Sequence, residues 1–229
     1  MAIYVTGDKH QDYRNLLTFM EFEKLTENDT ILVLGDMGLF WRKDRIDSDT
    51  FIDYYEKNYK CNLWFIDGNH ENFDQLEEIE ITNGYGNISP HIKWLPRGNS
   101  YTWDNKKILV IGGADSVDKM FRTEHLSWWE QEQITDSQAN EIIQKYKGQH
   151  FDYVFTHATP RKILDNNVSV LTQGIPDLDQ SKVNHTSEDN LQRIADNISF
   201  DNWWFGHYHN DIKIDDKFRC FYHKFEKIN

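Results

Sequence analysis

Basic residues, cysteines and long apolar stretches are what this chain has least of. Lys and Arg number 25 against 38 Asp and Glu, a formal net charge of −13 over 229 residues. Proteins that live on nucleic acid need a basic face, so this balance argues against duplex nucleic acid as a partner. The charge is an average, however, and bound divalent cations would still draw phosphate to one place. The two cysteines, Cys61 and Cys220, lie in apolar runs without metal-type spacing and read as buried thiols in a reducing compartment. No run approaches about 18 apolar residues, and the start "MAIYVTGD" lacks a basic segment leading into a long apolar one. The expectation is a soluble, cytoplasmic protein without a membrane partner. No Pro-, Gly- or Ser-rich linker, repeat or low-complexity tract divides the chain, so residues 1–229 read as one domain. Its oligomeric state is left open by composition.

Short runs rich in β-branched and aromatic residues recur: "AIYV" at 2, "TILVLG" at 30, "NLWFI" at 62, "KILVIGG" at 107, "DYVFT" at 152 and "WWF" at 203. These predict buried strands. Helical patterns fall between them. Leu16, Phe19 and Met20 share one face, and so do Ala139, Ile142, Ile143 and Tyr146, in a segment opened by Thr135 with Gln138 three later and closed by Gly148. The alternation predicts an α/β layered fold. The tail "DIKIDDKFRCFYHKF" reads as an antiparallel hairpin around Asp215 and Asp216. Residues 159–188 read as a long polar, irregular connection, expected to border a site and to act as a lid.

The residues just past each buried run are more telling. "AIYV" leads into Asp8 and His10, "TILVLG" into Asp36, "NLWFI" into Asn69 and His70, "DYVFT" into His157, and "WWFG" into His207, Tyr208 and His209. Any one of these is a turn former or a surface histidine. Together they are not, because the carboxyl ends of strands in α/β sheets are where ligand groups from distant sequence converge. Asp8 with His10, and His207 with His209, are two apart, so on an extended chain each pair points to one face. Carboxylate, imidazole and amide donors without thiolate suit manganese, iron or zinc. Two Asp, one Asn and four His are too many for one ion; two divalent ions about 3.5–4 Å apart, sharing a carboxylate, serve in-line displacement at phosphorus.

In these motifs the chain resembles the calcineurin-like metallophosphoesterase superfamily, whose Asp-x-His, Gly-Asp, Gly-Asn-His-Asp/Glu, lone His and Gly-His-x-His recur here in order from residue 8 to 209. The resemblance implies an α/β fold, a four-layer α-β-β-α sandwich of two mixed sheets. It implies that Asp8, His10 and His209 hold one metal, that Asn69, His157 and His207 hold the other, and that Asp36 bridges them. His70 is then not a ligand. It stands beside the substrate as the catalytic residue, stabilising or protonating the departing oxygen while a metal-held hydroxide attacks phosphorus in line. The implied activity is a phosphodiesterase or phosphatase. The pair Asp-Arg that comes after the bridging Asp in phosphoprotein phosphatases is replaced here by Met37, Gly38 and Leu39, which argues against a protein-phosphatase role. Gln11 stands where the family often has Gly.

The chain also resembles small bacterial and phage members of that superfamily through its "GGADSVDK" and "SWWEQE" segments. Asp115, Lys119 and Arg122 there are candidates for phosphate or ribose contacts at the rim, and Trp41 for base stacking. The expected partner is a small phosphorylated or nucleotide substrate. A nuclease acting on short single strands and a non-catalytic interaction module of the same fold are the alternatives. His91, His125, His150, His185 and His223 fall outside the motifs and read as structural or surface residues.

Overall fold

The computed structural model describes residues 2–172 and 183–228. A first sheet is built from β1 (Ile3–Thr6), β2 (Thr30–Val33), β3 (Asn62–Phe65), β4 (Ile81–Thr82), β5 (Tyr85–Asn87) and β6 (Ile92–Trp94). A second holds β7 (Asn99–Trp103), β8 (Lys106–Ile111), β9 (His150–Thr156), β10 (Ser199–Phe205), β11 (Ile212–Lys213) and β12 (Phe218–Cys220), after which β13 (Glu226–Lys227) returns to the first. The orders are β13-β1-β2-β3-β6-β5-β4 and β11-β12-β10-β9-β8-β7. Both sheets are mixed. β1, β2, β3 and β6 are parallel in one, β8, β9, β10 and β12 in the other, and the edge strands run antiparallel.

Side-chain alternation along the parallel strands sets the layers. On β2 and just beyond it, Ile31 and Val33 face one way while Leu32 and Leu34 face the other. The first pair packs with Leu16 and Met20 of α1 (Arg14–Glu23), Phe51 and Tyr55 of α2 (Ile46–Asn58) and Phe73 and Leu76 of α3 (Phe73–Leu76). The second pair meets Val110 of β8, Tyr153 and Phe155 of β9 and Trp204 of β10 across the space between the sheets. On the far side, Val154, Trp203 and Phe205 pack under α4 (Asp136–Tyr146), α5 (Arg161–Leu171) and α6 (Thr186–Ala195). Helices, sheet, sheet, helices is the expected four-layer sandwich. A one-residue slip of β2 would exchange its two faces and strand both pairs among the wrong neighbours, at about 1.5–3 kcal/mol for each apolar side chain misplaced.

Local signals behave as anticipated at several points. Thr135 and Gln138 close a capping box at the start of α4, and Ile212 and Lys213 pair antiparallel with Cys220 and Arg219 around the Asp215–Asp216 turn. Both cysteines are buried free thiols, and burial pushes Cys61 up to about 12. Among the described residues no helix is long and apolar enough to cross a membrane.

The irregular connection over 159–188 is not what forms. Arg161–Leu171 is helical and α6 begins at Thr186. Leu164, Val168 and Leu171 stand at i, i+4 and i+7 and seat α5 on the second sheet. The run Asp165-Asn166-Asn167 hides that period, and the helix pays for it with a kink at Asn167, whose φ is −132°. The part of the expected lid at 173–182 lies outside the described residues.

Candidate metal centre

The parallel strands of both sheets deliver their carboxyl ends to one edge, and the turns there are tight. Gly35 has φ +91° and lies so close to His157 that a Cβ would overlap the imidazole. Gly68 likewise leaves room for the Asp36 carboxylate and His157 Nε2. His10, Asp36, His207 and His209 all adopt positive φ, between 46° and 68°, which turns their side chains inward from the strand ends. Loop 36–38 is fastened by the buried Glu71, whose Oε1 accepts from Met37 N at 2.8 Å and Gly38 N at 3.3 Å.

Two groups of donors face the Asp36 carboxylate. Asp8, His10, Asp36 and His209 each offer an atom, all within 4.8 Å of one another. His10 Nε2 and His209 Nε2 approach to 2.8 Å, and Asp8 Oδ2 lies 3.1 Å from the latter while accepting no well-aligned hydrogen bond. Asp36 Oδ2 is 3.7 Å from His10 Nε2. On the other side, Asp36 Oδ1 is 3.3 Å from His157 Nε2, which is 3.2 Å from Asn69 Oδ1. The ring of His207 stands 5.0 Å from that of His157. His157 Nδ1 donates to Leu34 O at 2.6 Å, which leaves Nε2 as the inward-facing nitrogen.

The electrostatics agree with a cation site. Burial pushes the Asp36 carboxyl up, but His157, His70 and His10 outweigh it and hold it well below the usual carboxylate range. Asp8 is lowered in the same way, against burial, by His157 and His209. His157 would be driven down by burial, yet Asp36 and Asp8 hold it up to about 9. Desolvation and the neighbouring His157 push His207 down to about 3. Two buried carboxylates therefore remain ionised and draw positive charge to this place. An orphaned carboxylate oxygen facing paired imidazole nitrogens is a donor set that fits a divalent ion.

His70 sits beside this centre. Its backbone N–H donates to Asp36 Oδ1 at 2.7 Å, and Arg122 Nη2 donates to its Nε2 at 2.8 Å. Burial lowers His70 to about 4, with Asp36 opposing and Arg122 adding to the shift. Arg122 is not a rim residue: its side chain is only 8% exposed and its Nε holds Asp118 Oδ1 at 2.7 Å. An Asp-Arg pair thus reaches the histidine from the loop after β8, whereas the turn after Asp36 lacks one. Arg42 and Arg45 instead pair with Asp47 and Asp49.

The other rim candidates part company. Asp115 is buried and accepts from Ser187 N at 2.7 Å, Asn184 Nδ2 at 3.0 Å and Gln133 Nε2. It ties the loop to the start of α6 and to Gln133, so its oxygens are already taken by groups of the protein. Lys119 is exposed and lies 3.8 Å from the Trp128 ring, outside the cavity at the metal centre. Trp41 is half-buried, not exposed, with its ring 5.2 Å from His70 and 6.0 Å from Trp129. Among the histidines set aside, His91, His125 and His150 pair with Glu56, Asp74 and Asp201. His185 differs, because it lines the cavity together with Glu188, 3.6 Å from its Nδ1. Nothing in the sequence singled it out; its place is set by the start of α6.

The cavity measures about 250 Å³ and is walled by Val117, Leu164, Val183 and Tyr208 opposite Asn69, His70 and Arg122. Arg122 is the only Lys or Arg among its described lining residues. A second hollow of about 160 Å³, lined by His10, Gln11, Gly38, Trp41 and His70, opens on the other side of the histidine.

A four-layer sandwich with carboxylate and imidazole donors gathered at the strand ends defines a metal-dependent phosphoric ester hydrolase. The profile of the calcineurin-like phosphoesterases matches residues 1–211, and the chain belongs to that family. A search of curated proteins returned no match.

Proposed function

We propose that the protein hydrolyses a small phosphodiester of the nucleotide class with two divalent ions, manganese foremost and iron or zinc as substitutes. Asp8, His10 and His209 would hold one ion and Asn69, His157 and His207 the other, with Asp36 shared. The observation that carries this reading is the aim of the Asp36 carboxylate: Oδ1 is 3.3 Å from His157 Nε2 and Oδ2 is 3.7 Å from His10 Nε2, so its two oxygens serve two different donor groups. When bound, the ions supply Lewis acidity toward the phosphoryl oxygens and activate water for attack.

The chain's own residues supply the rest. With Arg122 donating to Nε2, the His70 ring carries its proton on Nδ1. A phosphate entering the cavity meets the guanidinium as a charge-assisted donor and the imidazole Nδ1–H as a hydrogen-bond donor that would stabilise the departing oxygen. A diester is favoured because hollows of about 250 and 160 Å³ meet at His70, giving a place for each substituent on phosphorus. Neither has the breadth for a duplex, and a net charge of −13 offers a polymer no basic track. The apolar wall of Val117, Leu164 and Val183 would exclude water from the larger substituent.

Elemental analysis of the purified protein, then hydrolysis of bis-p-nitrophenyl phosphate and p-nitrophenyl phosphate with added manganese, tests the reading. Two metal equivalents and faster cleavage of the diester are expected. One equivalent, or none, removes the two-ion assignment; faster cleavage of the monoester removes the diester preference.

A further inference from the structure

Among the described residues, no hydrogen bond from its own loop sets which way the Asn69 amide faces. Its Nδ2 donates to Ser116 Oγ at 3.1 Å, and its Oδ1 points to His157 Nε2. Ser116, in the loop after β8, is buried and is itself held twice by one carboxylate: its backbone N–H donates to Glu132 Oε1 at 2.8 Å and its hydroxyl donates to Glu132 Oε2 at 2.7 Å. Glu132 is 3% exposed, in the short 3₁₀ turn Glu130–Glu132. Ser116 and Glu132 thereby meet behind Asn69 without themselves lining the cavity, although the neighbouring Val117 does.

The proton count decides the amide. A serine hydroxyl has one hydrogen, and while Glu132 is ionised that hydrogen is committed to the carboxylate. Ser116 Oγ can then only accept from Asn69, so the amide must present its NH₂ to Ser116 and its oxygen to the centre. Reversing the amide would set two lone-pair-bearing oxygens against each other in a buried place, at the cost of an unsatisfied group, and would aim N–H hydrogens at the position a cation would take.

We propose that Ser116 and Glu132 are positioning residues for the metal centre: the carboxylate orients the serine hydroxyl, and the hydroxyl orients the Asn69 amide so that its oxygen is available to the second ion. This rests on the ligand assignment proposed above. Groups behind metal ligands typically govern affinity by about 10- to 100-fold. Asp8, His10 and His209 take no part in the hydrogen bonds that join Glu132, Ser116 and Asn69, so only one of two binding steps should respond.

Calorimetric titration of the metal-free full chain with manganese, with stoichiometry checked by elemental analysis, separates the steps. In Ser116→Ala the second step should weaken by about 10- to 100-fold while the first is unchanged, and Ser116→Thr, which keeps the hydroxyl, should restore it. Glu132→Gln is the second variant. Its NH₂ donates to Ser116 Oγ, frees the hydroxyl proton for Asn69 and so should weaken the second step without removing any atom from the packing. A wild-type chain that takes up fewer than two ions overturns the ligand assignment, and this inference with it. Two ions in the wild type and an unchanged second step in both Ser116→Ala and Glu132→Gln overturns the inference alone, as would equal weakening of both steps.

Discussion

Truncating Arg122 to alanine removes three contacts together, Nη2 to His70 Nε2 at 2.8 Å, Nε to Asp118 Oδ1 at 2.7 Å and the longer Nη1 to Ser127 O at 3.4 Å. They do not weigh equally. The Asp118 side chain is 49% exposed as a whole, although the oxygen facing Arg122 is buried, whereas the guanidinium is 8% exposed and is the only Lys or Arg lining the described part of the cavity. The loss therefore falls on the substrate side. A buried hydrogen bond to a charged group contributes about 1.5–3 kcal/mol, which corresponds to about a 10- to 150-fold fall in kcat/KM. A lysine places a compact ammonium where a planar fork served two acceptors, so Arg122→Lys should lose less, yet not recover fully. The loss should be larger for p-nitrophenyl phosphate, a dianion, than for the mono-anionic bis-p-nitrophenyl phosphate, because Coulomb attraction scales with ligand charge. Steady-state kinetics on both esters at saturating manganese measures this. An Arg122→Ala variant that folds, binds metal and keeps its kcat/KM on both would show that the guanidinium serves packing against Trp41, 6.0 Å away, and not the phosphate.

The same geometry sets three further outcomes. His70→Ala should keep both ions and lose turnover by about 100- to 10,000-fold, more for poor leaving groups than for p-nitrophenolate; an equal loss across a leaving-group series would replace proton donation with electrostatic positioning. Asp36→Asn should lose more than roughly 100-fold in affinity for at least one ion, since an amide offers only one oxygen; two ions bound as in the wild type would end the shared-carboxylate assignment. Burial raises Glu132 from 4.5 to about 7, so the folded state binds its proton more tightly than the unfolded chain does. Stability from this group is complete below about 4.5, declines as pH rises, and levels off above about 7, by about 3 kcal/mol in all. Urea melts across that window should show a smaller decline in Glu132→Gln, and parallel pH profiles would contradict it.

The strands that build the centre were legible because each is a compact run of β-branched and aromatic residues ending in a metal-type donor, as with "TILVLG" before Asp36. Strands β4, β5 and β7 were not, because their residues are polar, glycine-containing or at a sheet edge, and β6 was not because three residues are too short a run to show a pattern; pairing partners define all four. Helix α2 was missed for a similar reason: Phe51 and Tyr55 mark its face amid acidic residues. Around the centre, residue types were readable but directions were not. Asp115 and Arg122 share one segment, yet the first turns to Ser187 on α6 and the second to His70. The relay from Glu132 through Ser116 to Asn69 joins three stretches whose meeting depends on tertiary packing, and no spacing rule could announce it.

The positive φ angles at the metal centre carry a cost that the folded chain meets elsewhere. Each residue with a side chain held in the left-handed region is disfavoured by about 1–2 kcal/mol, less for Asp36 than for the histidines, and four such positions crowd one edge: His10, Asp36, His207 and His209. Left to backbone preference alone, these places would hold glycine. The centre thus holds backbone strain that the sheets on either side maintain, and bound metal would offset it. His209→Gly should relieve the backbone at that position yet leave the buried Asp8 Oδ2 without the imidazole 3.1 Å away, and it should remove the increment in melting temperature that manganese adds to the wild type.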